Sequence, residues 1–313
     1  MVFLHFKRTA HVCSVLLVFA ATGGCERSAP PKPGDTATSP APIAAVVART
    51  TLDRSGWDAA AGPALLVQGE TRDEAIVLLP FEGDTAAIAA LRSHGSPAES
   101  AVLLGRGGAR FTGRLGNALN ESESDCRVWP LQDVRTDGVA TAWAVGFVGG
   151  HVTPIPLDSI ELLSSRDSMA LAAEASRLAS AVTAQSPPSF QGLRFTAHDI
   201  RRLEITPGVH AVVAHVVRKV NQEANPQEEQ TLLIAERDSG ITSGPYQLAY
   251  AERSHGLEEE VVTPEVIAAV RIAGRPMLII ARDGAAGVSY VLVQRTGNRQ
   301  WRVKWTSAVT RCD

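Results

Sequence analysis

Lysine is nearly missing from this chain. Lys7, Lys32, Lys219 and Lys304 are the only four in 313 residues. Schiff-base chemistry needs a desolvated or cation-flanked amine, and neither Lys219 nor Lys304 sits in a recognisable setting for it. Aromatic residues make up 5% of the chain, which leaves little material for a platform that stacks sugars or bases. Basic residues are not in excess: the formal charge is −3, so the electrostatic attraction on which nucleic-acid binding depends is lacking. Phosphate-binding loops are missing too. Gly105-Arg106-Gly107-Gly108 lacks the third glycine of a dinucleotide fingerprint, and a β-like run follows it instead of a helix N-terminus; it reads as a hairpin turn. Gly240-Ile241-Thr242-Ser243-Gly244 has the glycine spacing of a nucleophile elbow around a threonine, but in a polar loop rather than a strand-to-helix turn. No calcium loop appears, and Arg282-Asp283-Gly284 reads as a turn.

The histidines show no metal-ligand spacing. His210 and His215 are five apart on an expected strand and point to opposite faces. His198 and Asp199 are adjacent and diverge in the same way. His94 and His151 fall in loops. The most site-like cluster is His255-Gly256-Leu257-Glu258-Glu259-Glu260, where Glu258 and Glu260 share a face of an extended segment and His255 can fold over them. Paired carboxylates can share a proton or hold a cation; an exposed acidic run in a hairpin loop is the plainer account. No metal or cofactor is expected.

What the chain does have begins at its N-terminus. Lys7 and Arg8 stand without an acid in the first eleven residues. The apolar run from Val12 to Ala21 is shorter than the roughly 20 residues a spanning helix needs. Small residues follow, Ala20 to Gly24, and then Cys25. A basic start, a short apolar core and a small-residue end form a secretory signal. Together with Gly23-Gly24-Cys25 it resembles the bacterial lipoprotein signal, whose lipobox ends in a lipidated cysteine; Thr22 stands where that family prefers an aliphatic residue. The resemblance implies cleavage before Cys25, diacylglycerol on its sulfur, and in many bacteria an acyl chain such as palmitate on its new amino group. Each buried CH₂ adds about 0.8 kcal/mol to the anchoring. Glu26, where some members carry a retention aspartate, points to the outer membrane facing the periplasm. The alternative is an ordinary cleaved signal that leaves Cys25 a thiol.

Residues 25–60 read as a Pro/Ala/Ser/Thr-rich tether that cannot bury enough apolar surface to offset its ordering entropy. After cleavage, 28 basic residues stand against 33 acidic ones, a charge of −5. Cys126 and Cys312 are the remaining cysteines of the mature chain. Outside the cytoplasm they can pair, closing a long loop worth about 4–5 kcal/mol on the chain-entropy model, or stand as two separate buried thiols.

The expected fold is mainly β, of the α+β kind, with antiparallel sheets in two β-rich regions joined by one amphipathic helix. Residues 61–161 hold short β-rich runs between turn signals, with a short helix at Thr85–Arg92. The joining helix occupies 162–188: Ser164 and Asp167 form a capping pair, and Met169, Ala172, Ala175, Ala179 and Val182 recur at helical spacing. Residues 189–313 read as an antiparallel meander. Its last run places Trp301, Val303 and Trp305 on one face and Arg302, Lys304 and Thr306 on the other. Apart from its signal the chain resembles no named family. Address and missing catalytic motifs favour an exported envelope protein that binds another envelope protein or a small ligand, without catalysis. The alternative is an envelope hydrolase assembled from scattered residues, with His151, His198, Asp199, His255 and Glu258 as candidates.

Overall fold

The computed structural model describes residues 56–93, 100–116, 127–136, 138–182, 186–220, 225–238 and 244–311, all within one compact unit. Cys25, His94, Cys126, Cys312 and residues 240–243 lie outside them. The described chain is mainly β, with antiparallel sheets and two α-helices. Among these residues no helix is long and apolar enough to cross a membrane.

Six strands close into a small barrel: β1 (Leu65–Gln68), β2 (Glu74–Leu78), β3 (Ala101–Leu104), β4 (Arg110–Leu115), β5 (Val128–Thr136) and β6 (Val145–Val148), in the order β1-β2-β5-β4-β3-β6. Leu66, Val77, Leu103, Phe111, Trp129 and Leu131 belong to its core. The space inside is tight. A Cβ on Gly146 would lie 2.5 Å from Leu103 Cδ2 and 3.3 Å from Leu66 Cβ, so β6 passes the barrel centre with glycine. Helix α1 (Thr85–Ser93) contributes Ala87 and Leu91 to the same core, and the Asp84 carboxylate accepts the Ala87 N–H at 2.9 Å as its cap.

Two five-stranded sheets follow. One has the order β12-β11-β10-β9-β8, the other β16-β15-β14-β13-β7. Their strands are β7 (Val152–Ile155), β8 (Asp158–Ser159), β9 (Thr196–Thr206), β10 (Val209–Val220), β11 (Gln227–Asp238), β12 (Gln247–Leu257), β13 (Thr263–Ile272), β14 (Arg275–Gly284), β15 (Gly287–Gly297) and β16 (Gln300–Thr306). Each sheet is a four-stranded meander plus one strand from before residue 160: β7 pairs with β13 and β8 with β9. The inner faces meet through Leu203, Ile205, Val213, Leu232, Ile234, Leu278, Ile280 and Val293.

Helix α2 (Ser165–Ala181) covers the outer face of the first sheet. Ser164 caps it, accepting the Asp167 N–H at 3.2 Å and donating to the Asp167 carboxylate at 2.8 Å. Only the C-terminal half of its stripe is buried: Ala175, Leu178 and Ala179 are covered, whereas Met169 is 66% exposed. The outer face of the second sheet packs on the barrel, where Ile272, Met277, Ile279 and Leu292 meet Leu65, Ile76, Leu78 and Phe147. The layers therefore run helix, sheet, sheet, barrel. Strands β1, β2, β3 and β6 are covered on both faces, by the barrel interior and by the second sheet. They read as continuous apolar runs for that reason.

Bulges redirect side chains at several places, and three of them matter most here. The register of β16 skips Lys304, so Trp301 and Trp305 do not share the face that plain alternation predicts. Trp301 enters the core between the sheets, and Trp305 turns to the barrel side, donating to Pro80 O at 2.7 Å with its ring centroid 4.8 Å from that of Trp57. In β13 the skipped residue is Ile267. In β9 one of two skipped residues is His198, which comes to lie edge-on to His215, with ring centroids 4.9 Å apart. One extra residue per bulge shifts every later side chain to the other face.

Candidate functional site

A cleft of about 630 Å³ opens where the barrel meets the outer face of the second sheet. Its size lies in the range of about 300–1,000 Å³ typical of small-molecule sites, which favour such junctions. The sheet supplies the floor as two cross-strand rows. Glu265 on β13, Ala281 on β14 and Tyr290 on β15 form one; Thr263, Asp283 and Val288 form the next. The bulged Ile267 adds an apolar side chain. The barrel supplies the roof: Val67 and Gln68 at the end of β1, and Trp143 in the segment leading to β6. That segment is tied down. The Trp143 N–H donates to Gln68 Oε1 at 3.1 Å and its indole Nε1 to Arg72 O at 2.7 Å. Arg106, in the β3–β4 turn, forms an ion pair with Glu265 across the mouth.

The polar groups converge but are unevenly satisfied. Arg106 is engaged by Glu265. Asp283 is exposed and has neither an ion pair nor a side-chain hydrogen bond among the described residues; Tyr290 is only 8% exposed, and its hydroxyl, without a partner there either, is open to the cleft rather than sealed. Burial pushes the Tyr290 hydroxyl above its ordinary pKa, and the charges of Asp283 and Glu265 push it the same way. At neutral pH it is therefore a neutral donor and acceptor. With one guanidinium and two carboxylates, the cleft carries a net charge of about −1. A second, smaller cavity of about 400 Å³ lies between Trp57, Pro80 and α1.

The residues singled out from sequence lie elsewhere. His255 is an exposed residue of β12 placed opposite Glu229. Glu258 and Glu260 are exposed in the turn after β12, where Glu258 lies 3.5 Å from Lys219 Nζ. His151 is exposed between β6 and β7. His198 and Asp199 sit together on β9, where Asp199 pairs with Arg201 at 2.9 Å. His215, buried between the sheets, bonds Gln230 Oε1 at 2.8 Å. Burial lowers its pKa, outweighing the opposing Gln230 hydrogen bond, so the neutral ring is favoured. Neither cavity is lined by a histidine. Among the described residues no three His, Cys, Asp or Glu side chains are grouped to hold a metal.

Sequence reading missed the cleft because its residues carry no local signature. Arg106 and Glu265 are 159 residues apart. Arg106 and Asp283 both fall in stretches that read as turns. Only topology brings them together. No family model, curated protein or solved structure matches the chain.

Proposed function

We infer that this chain is an exported, lipid-anchored envelope protein whose body works as a non-catalytic binding module. The cleft between barrel and sheet carries the binding part of the reading. It is large enough for a small ligand, mostly apolar in its lining, and supplied with a few polar groups, two of which have no partner among the described residues. None of those groups is a histidine or a cysteine, so the nucleophile–histidine pair of the common ester and amide hydrolases is not formed by this lining. The address rests on the first 25 residues. Lipid on Cys25 and a Pro-rich tether would hold the cleft at a short distance from the outer membrane, facing the periplasm.

Native mass spectrometry of the full chain, extracted in mild detergent from its own membranes, tests the binding part. The expected spectrum shows a small-molecule adduct on the wild type that is missing from Ala281→Phe, whose ring fills the cleft floor. An adduct retained by Ala281→Phe, or a spectrum without any adduct, contradicts the reading. So does turnover of an ester or amide substrate that vanishes in His198→Ala.

A further inference from the structure

The chemistry of the cleft selects among ligands. An anion finds little to bind: Arg106, the one cation of the lining among the described residues, is engaged by Glu265, and a second negative group would face Asp283. A purely apolar ligand would seal over the Tyr290 hydroxyl and the Asp283 carboxylate without giving either a partner, which is costly for buried polar groups. A cation with at least two N–H donors meets both needs. It can donate to the Asp283 carboxylate, in a charge-assisted bond, and to the Tyr290 hydroxyl oxygen. Asp283 and Tyr290 lie on adjacent strands: Asp283 pairs with Val288, two residues along β15 from Tyr290 and on the same face. Such diagonal neighbours lie about 7–8 Å apart, within reach of one small ligand. The remaining surface, Val67, Ile267, Ala281 and Val288 beside Tyr290, suits an apolar or aromatic body.

We propose that the cleft binds a small organic cation, a protonated amine or guanidine on an apolar body, with the nitrogen held by Asp283 and Tyr290 and the body laid on Ile267, Ala281 and Val288. This rests on reading the cleft as the ligand site. Glu265 adds attraction at longer range but is half neutralised by Arg106, so Asp283 is the principal anchor.

Titration calorimetry of the full chain in detergent tests it. The cationic probes are tryptamine, phenethylamine, agmatine and cadaverine. Tryptophol and indole-3-propionate serve as neutral and anionic counterparts of tryptamine. At least one amine should bind, and tryptamine should bind about tenfold or more tightly than tryptophol, as a charge-assisted bond to a carboxylate implies, with indole-3-propionate weaker still. Asp283→Asn should bring tryptamine down to the level of tryptophol, Tyr290→Phe should cause a smaller loss, and raised salt should weaken the amine alone. Equal binding of the three indoles, an Asp283→Asn form that binds amines as before, or no amine bound at millimolar concentration overturns the proposal. The Ala281→Phe form separates the two levels. If tryptophol or indole-3-propionate binds and Ala281→Phe abolishes that binding, the cation assignment falls while the cleft stands as a site. If bound probes ignore Ala281→Phe, both fall.

Discussion

Glu229→Ala lowers the free energy of unfolding by about 3–5 kcal/mol, the cost of leaving a buried ionic partner uncompensated. Glu229 on β11 is fully buried, two residues from Thr231 and four from Leu233 on the α2 side of its sheet. Arg218 on β10 donates to its two oxygens at 3.2 and 3.0 Å. Arg253 on β12 lies 3.2 Å away, and Ser186 donates at 3.3 Å while accepting from Arg253 at 2.9 Å. The Arg218 guanidinium also stacks over Phe195, 4.6 Å from the ring centroid. Three strands thus hold one carboxylate between two guanidiniums. Removing it leaves two like charges in a site where Arg218 is 5% exposed and where Nε of both arginines already lacks a hydrogen bond. The measurement is urea unfolding followed by circular dichroism. If buried charge is the cause, the combined Arg218→Met, Glu229→Leu, Arg253→Met form should recover most of the loss, since apolar replacement of a whole buried ionic triad is often neutral or better.

Glu236→Ala should cost a similar amount, about 3–5 kcal/mol, for a different structural reason. Glu236 joins the two sheets. From β11 it reaches the second sheet and accepts Arg295 Nε at 2.9 Å, Arg295 Nη2 at 2.8 Å, Trp301 Nε1 at 2.6 Å and the Arg299 backbone N–H at 3.1 Å. Burial alone would raise its carboxyl pKa; the hydrogen bonds from Arg295 and Trp301 and the charge of Arg295 outweigh it and hold the pKa below the usual carboxylate value. A lowered folded-state pKa means that the charged form's stabilisation is complete above the unfolded value, near 4.3, and is lost as pH falls through the folded value. The stability gap between wild type and Glu236→Gln should therefore be full at pH 7, begin to narrow below the unfolded value of about 4.3, and close as pH falls through the lowered folded value. Thermal midpoints should separate by roughly ten degrees for the alanine form at neutral pH, at 2–4 °C per kcal/mol for a domain of this size. A gap independent of pH would mean that Glu236 acts by shape rather than charge.

The β class, most strands and the helix cap were readable from residue pattern because each is a local matter. Turn residues at Gly105–Gly108 separate runs that do pair as a hairpin, and Ser164 does cap its helix; Arg282-Asp283-Gly284, read as a turn, is instead the end of β14, paired with Gly287–Ser289, and the chain reverses just after it. Three features were not readable. Strand β9, Thr196–Thr206, is rich in charged residues and half exposed, so it lacks the apolar density that marks its neighbours. The bulges at His198, Ile267 and Lys304 leave no trace in composition, yet they decide which face Trp305 takes and bring Ile267 to the cleft. Barrel closure and the assignment of β7 and β8 to the two sheets depend on long-range pairing. The cleft inherits all of this: Asp283 and Tyr290 acquire meaning only once β14, β15 and the barrel are assembled. The acidic turn at Glu258–Glu260 stood out because charge runs are visible locally, but the fold leaves it on the surface.

The account sets this cleft in a bacterial envelope, and that address stands on Cys25. Growing cells on an alkyne-bearing palmitate analogue and reading the label on the purified chain tests it directly. The wild type should carry label and appear as a form lacking residues 1–24, while Cys25→Ser should carry none and keep its full length. Label retained by Cys25→Ser, or an unlabelled wild type cut at another position, would contradict the lipid anchor and with it the envelope setting of the ligand site.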